Sequence, residues 1–182
     1  MQGWAVILFS LFFYPVVLPR GLQAESPQSS EAPNNLIRIF DSHSGKFITE
    51  EPVVKTEAEW KQQLTPAQYR ITREAGTEPP FTNEHFHEGE KGTYQCVGCG
   101  TDLFASETKY ASGTGWPSFW KPVAKENIVL KPDYHLFMHR TEVLCARCGA
   151  HLGHVFDDGP PPTHQRYCMN AGALQFLPAK TE

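Results

Sequence analysis

Two copies of the pattern Cys-x-x-Cys-Gly constrain this chain more than any other feature of its sequence. They occupy residues 96–100 and 145–149. A tight turn of this length lets both sulfurs of a pair point at one cation, and the glycine tolerates the backbone conformation that the turn requires. Two such turns supply four sulfurs, a closed tetrahedral shell suited to structural zinc. We therefore predict one structural Zn²⁺ bound by Cys96, Cys99, Cys145 and Cys148.

Disulfide bonds or a redox-active Cys-x-x-Cys are the alternative interpretations of these pairs, because exported proteins commonly carry disulfides. A disulfide within Cys-x-x-Cys closes a very short loop. It restricts the unfolded chain little, so a duplicated one would stabilise the fold weakly. We favour zinc, and with four cysteine ligands no coordination position stays open for a catalytic water.

The N-terminal part of the chain predicts a targeting segment. Residues 4–18 are apolar and uncharged, but they are fewer than the roughly 20 residues of a membrane-spanning helix, and Pro15 interrupts them. Ala24 resembles the small residue of a signal-peptidase site. We predict a signal peptide over residues 1–24, and hence a periplasmic or secreted protein. The alternative is a protein that stays membrane-anchored through residues 4–18.

Beyond this segment, local signals predict a linker, two helices and then β structure. Residues 25–55 are expected to form the linker with a possible small hairpin, and residues 56–180 the functional domain. Thr56 with Glu59, and Thr65 with Gln68, are the cap signatures of helix starts. The remaining predictions are hairpin strands at 36–40 and 46–48, a helix terminator at Gly76, and strands at 94–95, 129–130, 136–138, 142–144 and 167–176.

Composition and charge limit the kinds of molecule that this protein is expected to bind. Hydrophobic residues make up 40% of the chain and charged residues 20%, which is typical of a globular protein. The formal net charge is -4, and the 16 Lys and Arg residues are scattered along the chain. We therefore expect no nucleic-acid partner.

The fifth cysteine, Cys168, is left over from the two pairs. Strand alternation places Arg166, Cys168 and Asn170 on one face. A guanidinium beside a thiol favours the nucleophilic thiolate, and a carboxamide can donate a hydrogen bond to a bound oxygen. The alternative is an inert cysteine buried in a core strand.

Two further stretches carry candidate site residues. His151 and His154 lie upstream of Cys168 with nearby aspartates, and can supply general-acid and orienting functions. The alternative is that these histidines are structural. Trp116, in the glycine- and proline-rich loop 112–119, could receive a methyl or thioether group, or could simply pack in the core.

Together these motifs resemble the B-type methionine sulfoxide reductases, which reduce the R epimer of methionine sulfoxide, mainly in proteins. The resemblance runs from Trp60 to Phe176. It implies a mainly β fold of two antiparallel sheets with short N-terminal helices. The motifs are Leu64-Thr65-Pro66, Gly76-Thr77-Glu78, the two cysteine pairs, SGTGWPSF at 112–119, RTEV-x-C at 140–145, HLGHVFDDGP at 151–160 and RYCMN at 166–170.

The resemblance also implies a role for each matching residue. Cys168 matches the nucleophile, the four paired cysteines match the zinc ligands, and Trp116 matches the residue that contacts the substrate methyl group. We favour His154 as the group that protonates the sulfoxide oxygen. The other residues expected to shape the site are His151 and Asn170 in catalysis, and Asp158 and Arg166 in substrate binding.

One position departs from the resemblance. Many members of the family carry a second, resolving cysteine where this chain has Thr114, and no sixth cysteine occurs elsewhere. An external thiol must then reduce the sulfenic acid that turnover leaves on Cys168. The expected partners are thioredoxin or a thioredoxin-like reductant, and oxidised proteins as substrates.

Two other function classes fit parts of the pattern. A zinc-ribbon-like binding module would explain both cysteine pairs, but it has no need of a thiol, a guanidinium and a carboxamide on one strand face. A zinc hydrolase or lyase using His151 and His154 would need an open metal position, which four cysteine ligands argue against.

Overall fold

The computed structural model describes residues 35–83, 86–134 and 139–180 of the 182-residue chain. The predicted signal peptide and the strand predicted at 136–138 lie outside the described residues. Within the described part, no helix has the length and apolar character needed to cross a membrane.

The described chain opens with an antiparallel hairpin of β1 (Ile37–Asp41) and β2 (Lys46–Glu50), which confirms the predicted pairing. The hairpin packs on the rest of the described chain through Asn127. Its carboxamide accepts from the Phe40 amide at 2.7 Å and donates to the Phe40 carbonyl at 2.8 Å. A buried side chain therefore substitutes for a strand partner at this point.

Two short helices follow, α1 (Glu57–Gln63) and α2 (Pro66–Arg73). Each begins with the predicted capping box, in which a threonine and the side chain three residues later satisfy each other's backbone amides. The capping pairs are Thr56 with Glu59 and Thr65 with Gln68.

Helix α2 ends at Arg73, just before the predicted terminator Gly76, but the glycine does not take the left-handed conformation common at helix ends. The left-handed residue is Ala75, with a φ of 50°. The amide of Gly76 donates to the Arg70 carbonyl at 2.9 Å, and a Cβ at Gly76 would lie 2.8 Å from that oxygen. The glycine therefore allows a close backbone approach rather than an unusual φ.

The rest of the described chain forms two further antiparallel sheets, as predicted for a mainly β fold. One has six strands in the order β5-β6-β10-β9-β8-β7, and the other has three in the order β11-β3-β4. The strands are β3 (Gly92–Cys96), β4 (Asp102–Ala105), β5 (Lys109–Tyr110), β6 (Ser118–Phe119), β7 (Ile128–Asp133), β8 (Arg140–Cys145), β9 (His151–Phe156), β10 (Arg166–Met169) and β11 (Leu174–Pro178).

The prediction of a single strand over residues 167–176 is wrong. The segment divides into β10 in the six-stranded sheet and β11 in the three-stranded sheet, joined by the 3-10 turn Ala171–Ala173. The carboxylate of Glu78, which is only 7% exposed, accepts the Ala171 amide at 2.6 Å and the Gly172 amide at 3.0 Å. These charge-assisted bonds satisfy the amides that a continuous strand would have paired.

Aromatic side chains from both sheets form the core between them. Tyr94 and Phe104 come from the three-stranded sheet, and Phe119 and Tyr167 come from the six-stranded sheet. The Phe119 ring lies 4.5 Å from Phe104 and 4.9 Å from Tyr94, and each such pair contributes about 0.5–1.5 kcal/mol beyond its buried area. Because side chains alternate along β10, Tyr167 in the core leaves Cys168 on the opposite face of the sheet.

Candidate metal centre and active site

The two cysteine pairs lie on matching turns, one between β3 and β4 and the other between β8 and β9. In each turn the glycine amide donates to the carbonyl of the first cysteine, from Gly100 to Cys96 at 2.8 Å and from Gly149 to Cys145 at 2.9 Å. The φ angles of the two glycines are +74° and +66°. The predicted need for glycine at this position is confirmed, because a side chain would be strained there.

The four sulfurs of these turns all lie within 4.8 Å of one another. The Sγ atoms of Cys96 and Cys148 are 3.6 Å apart, and those of Cys99 and Cys145 are 3.5 Å apart. These distances exceed the roughly 2.05 Å of a disulfide and join cysteines of different turns. A tetrahedral shell with metal–sulfur bonds of about 2.3 Å separates its sulfurs by about 3.8 Å, so the cluster fits one metal ion.

The thiols of the cluster are strongly coupled to one another. A hydrogen bond with the Cys145 thiol is the main cause that lowers the pKa of both Cys99 and Cys148. The same coupling and burial raise the pKa of Cys96 and Cys145. Without a metal the four sulfurs therefore share protons, and a metal ion that binds them as thiolates must displace those protons. The site links the three-stranded sheet to the six-stranded sheet.

Away from the metal centre, a row of polar side chains crosses the six-stranded sheet. Cys168 on β10 lies directly opposite Ser118 on β6 and His154 on β9, and the row continues to Tyr110 on β5 and Glu142 on β8. Directly opposed residues of antiparallel strands project from the same face. Pairing across five strands thus forms the row, in which the thiol and the imidazole come from directly opposed residues of neighbouring strands.

A cavity of about 120 Å³ opens at this row. It brings together four of the predicted site residues, Cys168, His154, Trp116 and Asn170, whereas His151, Asp158 and Arg166 do not line it. The roles assigned to those three stay predictions. The lining residues are Thr77, Trp116, Arg140, Gly153, His154, Phe156, Cys168, Met169 and Asn170.

The thiol of Cys168 is less acidic than the sequence suggested. Burial raises its pKa, and this effect outweighs the lowering by Thr114 and by the Arg166 charge. Arg166 is itself held by a bidentate pair with Asp158, at 2.8 Å for both bonds, and its guanidinium lies 4.4 Å from the Phe156 ring centre. Arg166 does favour the thiolate, as predicted, but desolvation is the larger effect.

We expect Arg166→Met to slow alkylation of Cys168 by iodoacetamide at neutral pH. Removing the guanidinium raises the thiol pKa further, so the thiolate fraction falls, by roughly threefold to tenfold for a pKa change of up to about one. Peptide mass spectrometry of labelling rates between neutral and alkaline pH measures the effect on Cys168 alone. The two rates should converge at high pH, and equal rates at neutral pH would contradict this account of Arg166.

A chain of three hydroxyl groups reaches the sulfur of Cys168 through Thr114. Thr114 Oγ1 lies 3.9 Å from Cys168 Sγ and 2.8 Å from Ser112 Oγ, which in turn lies 2.8 Å from Ser118 Oγ. The Ser118 hydroxyl donates to the Trp116 carbonyl at 3.1 Å. Ser112 and Ser118 were not among the predicted site residues, although they belong to the same short motif as Trp116.

Both predicted histidines are held by carboxylates. His154 Nε2 lies 2.8 Å from Asp133 Oδ2, and His151 Nδ1 lies 2.7 Å from Glu142 Oε1. Burial is the main cause that lowers the pKa of His154, so the ring is neutral at neutral pH. The His151 ring lies 5.5 Å from the His154 ring and is edge-on to it, but it is not among the residues that line the cavity.

Glu78 organises the site, and its role was not predicted. Its backbone carbonyl accepts from the indole Nε1 of Trp116 at 3.1 Å, and its backbone amide donates to Asn170 Oδ1 at 3.0 Å. Asn170 Nδ2 also donates to the Leu152 carbonyl at 3.2 Å, so one of its two N–H groups is committed to the backbone. Glu78 therefore fixes Trp116 and Asn170 as well as the turn after β10.

Comparison with known proteins identifies the family of this chain. The family model described as the SelR domain matches residues 64–178. The chain is 59% identical over 124 residues to the peptide methionine sulfoxide reductase MsrB of Hahella chejuensis, covering 68% of this chain and 89% of that protein. It is 51% identical over 135 residues to the protein of the same name from Methanosarcina barkeri, covering 74% and 93%.

A eukaryotic relative is similar over the same region. The chain is 51% identical over 127 residues to the mouse mitochondrial methionine-R-sulfoxide reductase B3, covering 70% of this chain and 50% of the mouse protein. The family predicted from the sequence motifs is confirmed. The chain belongs to the SelR family, the methionine sulfoxide reductases of the MsrB type.

Proposed function

We propose that this protein reduces the R epimer of methionine sulfoxide, chiefly in oxidised proteins, to methionine. The observation that carries the proposal is that Cys168, His154 and Trp116 line the same cavity. The names of the relatives support the substrate and its R configuration. Such an activity repairs oxidised methionine side chains.

The resting cavity holds a neutral thiol and a neutral imidazole, because burial raises the pKa of Cys168 and lowers that of His154. Proton transfer from the thiol to the ring creates the nucleophile and the acid in one step. The Cys168 sulfur then attacks the sulfoxide sulfur while His154 protonates the oxygen. The protonated oxygen then passes to the Cys168 sulfur as the new sulfur–sulfur bond breaks. Methionine leaves reduced by two electrons, and Cys168, oxidised by two electrons, remains as a sulfenic acid.

The cavity walls suit the rest of the substrate. The Trp116 indole, whose N–H donates to the Glu78 carbonyl, lines the cavity together with Phe156 and Met169. These apolar side chains can receive the methyl group. The free N–H of Asn170 can donate to the sulfoxide oxygen. Arg166 supports the reaction because its positive charge lowers the pKa of the Cys168 thiol and so favours the thiolate.

An external thiol, from thioredoxin or a thioredoxin-like protein, regenerates Cys168 in this scheme. Thr114 Oγ1 is 3.9 Å from the Cys168 sulfur, and a hydroxyl at this place cannot form a disulfide. The other four cysteines of the sequence are gathered in the metal cluster. The sulfenic acid is therefore left for a thiol that enters from solution.

The metal of the cluster is Zn²⁺ in our proposal, because four thiolates in a closed shell suit structural zinc. Cys96, Cys99, Cys145 and Cys148 would hold it. We further propose that residues 1–24 direct export, which is supported by the apolar run at 4–18. The reductant would then be a thioredoxin-like protein outside the cytoplasm.

We expect the purified protein with dithiothreitol to reduce methionine-R-sulfoxide and to leave the S epimer almost untouched, at about 1% of that rate or less. A difference of about 2.7 kcal/mol in transition-state binding gives such a ratio. Chromatography of each dabsylated epimer before and after incubation measures it. Preference for the S epimer would refute the proposal, and no reduction of either epimer would favour a binding module.

A further inference from the structure

We propose that Asp133 and Arg140 form a positioning pair, which fixes the tautomer of His154 and supplies the counter-charge for its protonated ring. The inference rests on the proposed function in one respect, namely that His154 is the acid of the reaction. Asp133 was not singled out from the sequence, and Arg140 was noted only as part of the RTEV-x-C motif, with no role assigned.

The geometry of the pair comes from strand pairing. Asp133 at the end of β7 lies directly opposite Arg140 at the start of β8. Asp133 Oδ2 accepts from Arg140 Nη2 at 2.6 Å and lies 2.8 Å from His154 Nε2. The side chains of Asp133 and His154 are 11% and 13% exposed, so solvent screens this contact little.

The contact with Asp133 determines which ring nitrogen of His154 carries the hydrogen in the neutral form. An ionised carboxylate can only accept, so Nε2 of His154 must be the donor toward Asp133. In the neutral ring Nδ1 is then the unprotonated nitrogen. The proton that the ring takes from Cys168 and gives to the sulfoxide oxygen is therefore carried on Nδ1.

The positive charge of Arg140 destabilises the protonated form of the His154 imidazole. It binds the same oxygen as His154 and also lines the cavity, so its positive charge opposes a second one on the imidazole. Burial and Arg140 lower the pKa of His154, whereas the hydrogen bond to Asp133 raises it. Among the residues that the structure describes, the titratable or charged groups that face the ring are Asp133 from β7, Arg140 and Glu142 from β8, His151 from β9 and Cys168 from β10.

The experiment compares Asp133→Asn and Arg140→Met with wild-type protein labelled with ¹⁵N-histidine. In the wild type, two-dimensional NMR should show the Nε2–H tautomer for His154. Asp133→Asn should lower the pKa of His154 and reduce kcat at least about tenfold with little change in KM. Arg140→Met should raise the same pKa, and Arg140→Lys should return it toward the wild-type value.

Opposite shifts in the two variants are the result that a merely structural role would not produce. Asp157→Asn, at an exposed aspartate outside the cavity, is the matched control and should change neither the NMR signals nor kcat. The Nδ1–H tautomer in the wild type, shifts in the same direction, or an unchanged kcat in Asp133→Asn would each overturn the inference. If Asp133→Asn does not fold, the two Arg140 variants still test it.

Failure of the proposed function would look different from failure of this inference. The NMR signals of His154 report the tautomer without any turnover. If wild-type protein reduces neither epimer, the proposed function fails although the tautomer can still be as inferred. If wild-type protein is active and the tautomer is Nδ1–H, only the positioning role of Asp133 fails.

Discussion

We expect Cys168→Ser to abolish reduction of methionine-R-sulfoxide, with a loss of at least about a thousandfold. A hydroxyl nearly preserves the shape of the thiol, but it is a far weaker nucleophile at neutral pH. The Thr114 hydroxyl already lies 3.9 Å from the sulfur, so the site accepts polar groups and we expect the fold to be undisturbed. Turnover with dithiothreitol is the measurement, and metal content and thermal melting are the controls.

The oxidation state of Cys168 after one turnover is a second test of the same chemistry. After one turnover without reductant, a dimedone-type reagent should label Cys168 and no new intramolecular disulfide should appear. Thr114 stands beside the sulfur without a thiol of its own. Mass spectrometry that found Cys168 bridged to a cysteine of the metal cluster during normal turnover would defeat direct reduction by an external thiol.

The parts of this fold that local chemistry specifies were predictable from the sequence. A capping box satisfies backbone amides within four residues, so Thr56 with Glu59 predicts a helix start without knowledge of the rest of the chain. The cysteine turns are equally local, because spacing and one glycine define them. Their convergence on one centre could be predicted because a closed metal shell needs both pairs.

The errors occurred where a distant residue decides the local conformation. Residues 167–176 alternate as a single strand would, yet the chain turns at 171–173 because Glu78, more than 90 residues away, binds two amides there. The end of α2 shows the same limit. Gly76 is a common terminator, but the close approach to Arg70 decides which residue takes the left-handed conformation.

The residues of the candidate site also fall into two groups, those that a local motif identifies and those that only the fold brings together. Its chemistry-bearing residues, such as Cys168 and Trp116, stand in distinctive motifs and could be named from the sequence. Asp133 and Arg140 become partners only through the register of β7 and β8, which no local pattern specifies. The acidity of Cys168 also depends on burial, which the neighbouring Arg166 cannot reveal.

We expect Cys145→Ser to unfold the domain by removing one ligand of the proposed zinc. Four thiolates gather only in the folded chain, so metal binding contributes to folding free energy, on the order of 10 kcal/mol in small zinc domains. That is comparable with the whole stability of a typical domain, about 5–15 kcal/mol. The loss is large here because the cluster joins turns of two different sheets, and Cys145 itself is 1% exposed.

Metal analysis and circular dichroism melting measure the effect, and a strong chelator should unfold the unmodified protein in the same way. Cys168→Ser is the matched control, since it makes the same chemical change outside the cluster. It should lose activity and keep both metal and melting temperature, whereas Cys145→Ser should lose all three. Wild-type protein without zinc, with its paired cysteines oxidised, would refute the metal centre. An unchanged melting curve in Cys145→Ser would show instead that the two sheets hold together without the metal.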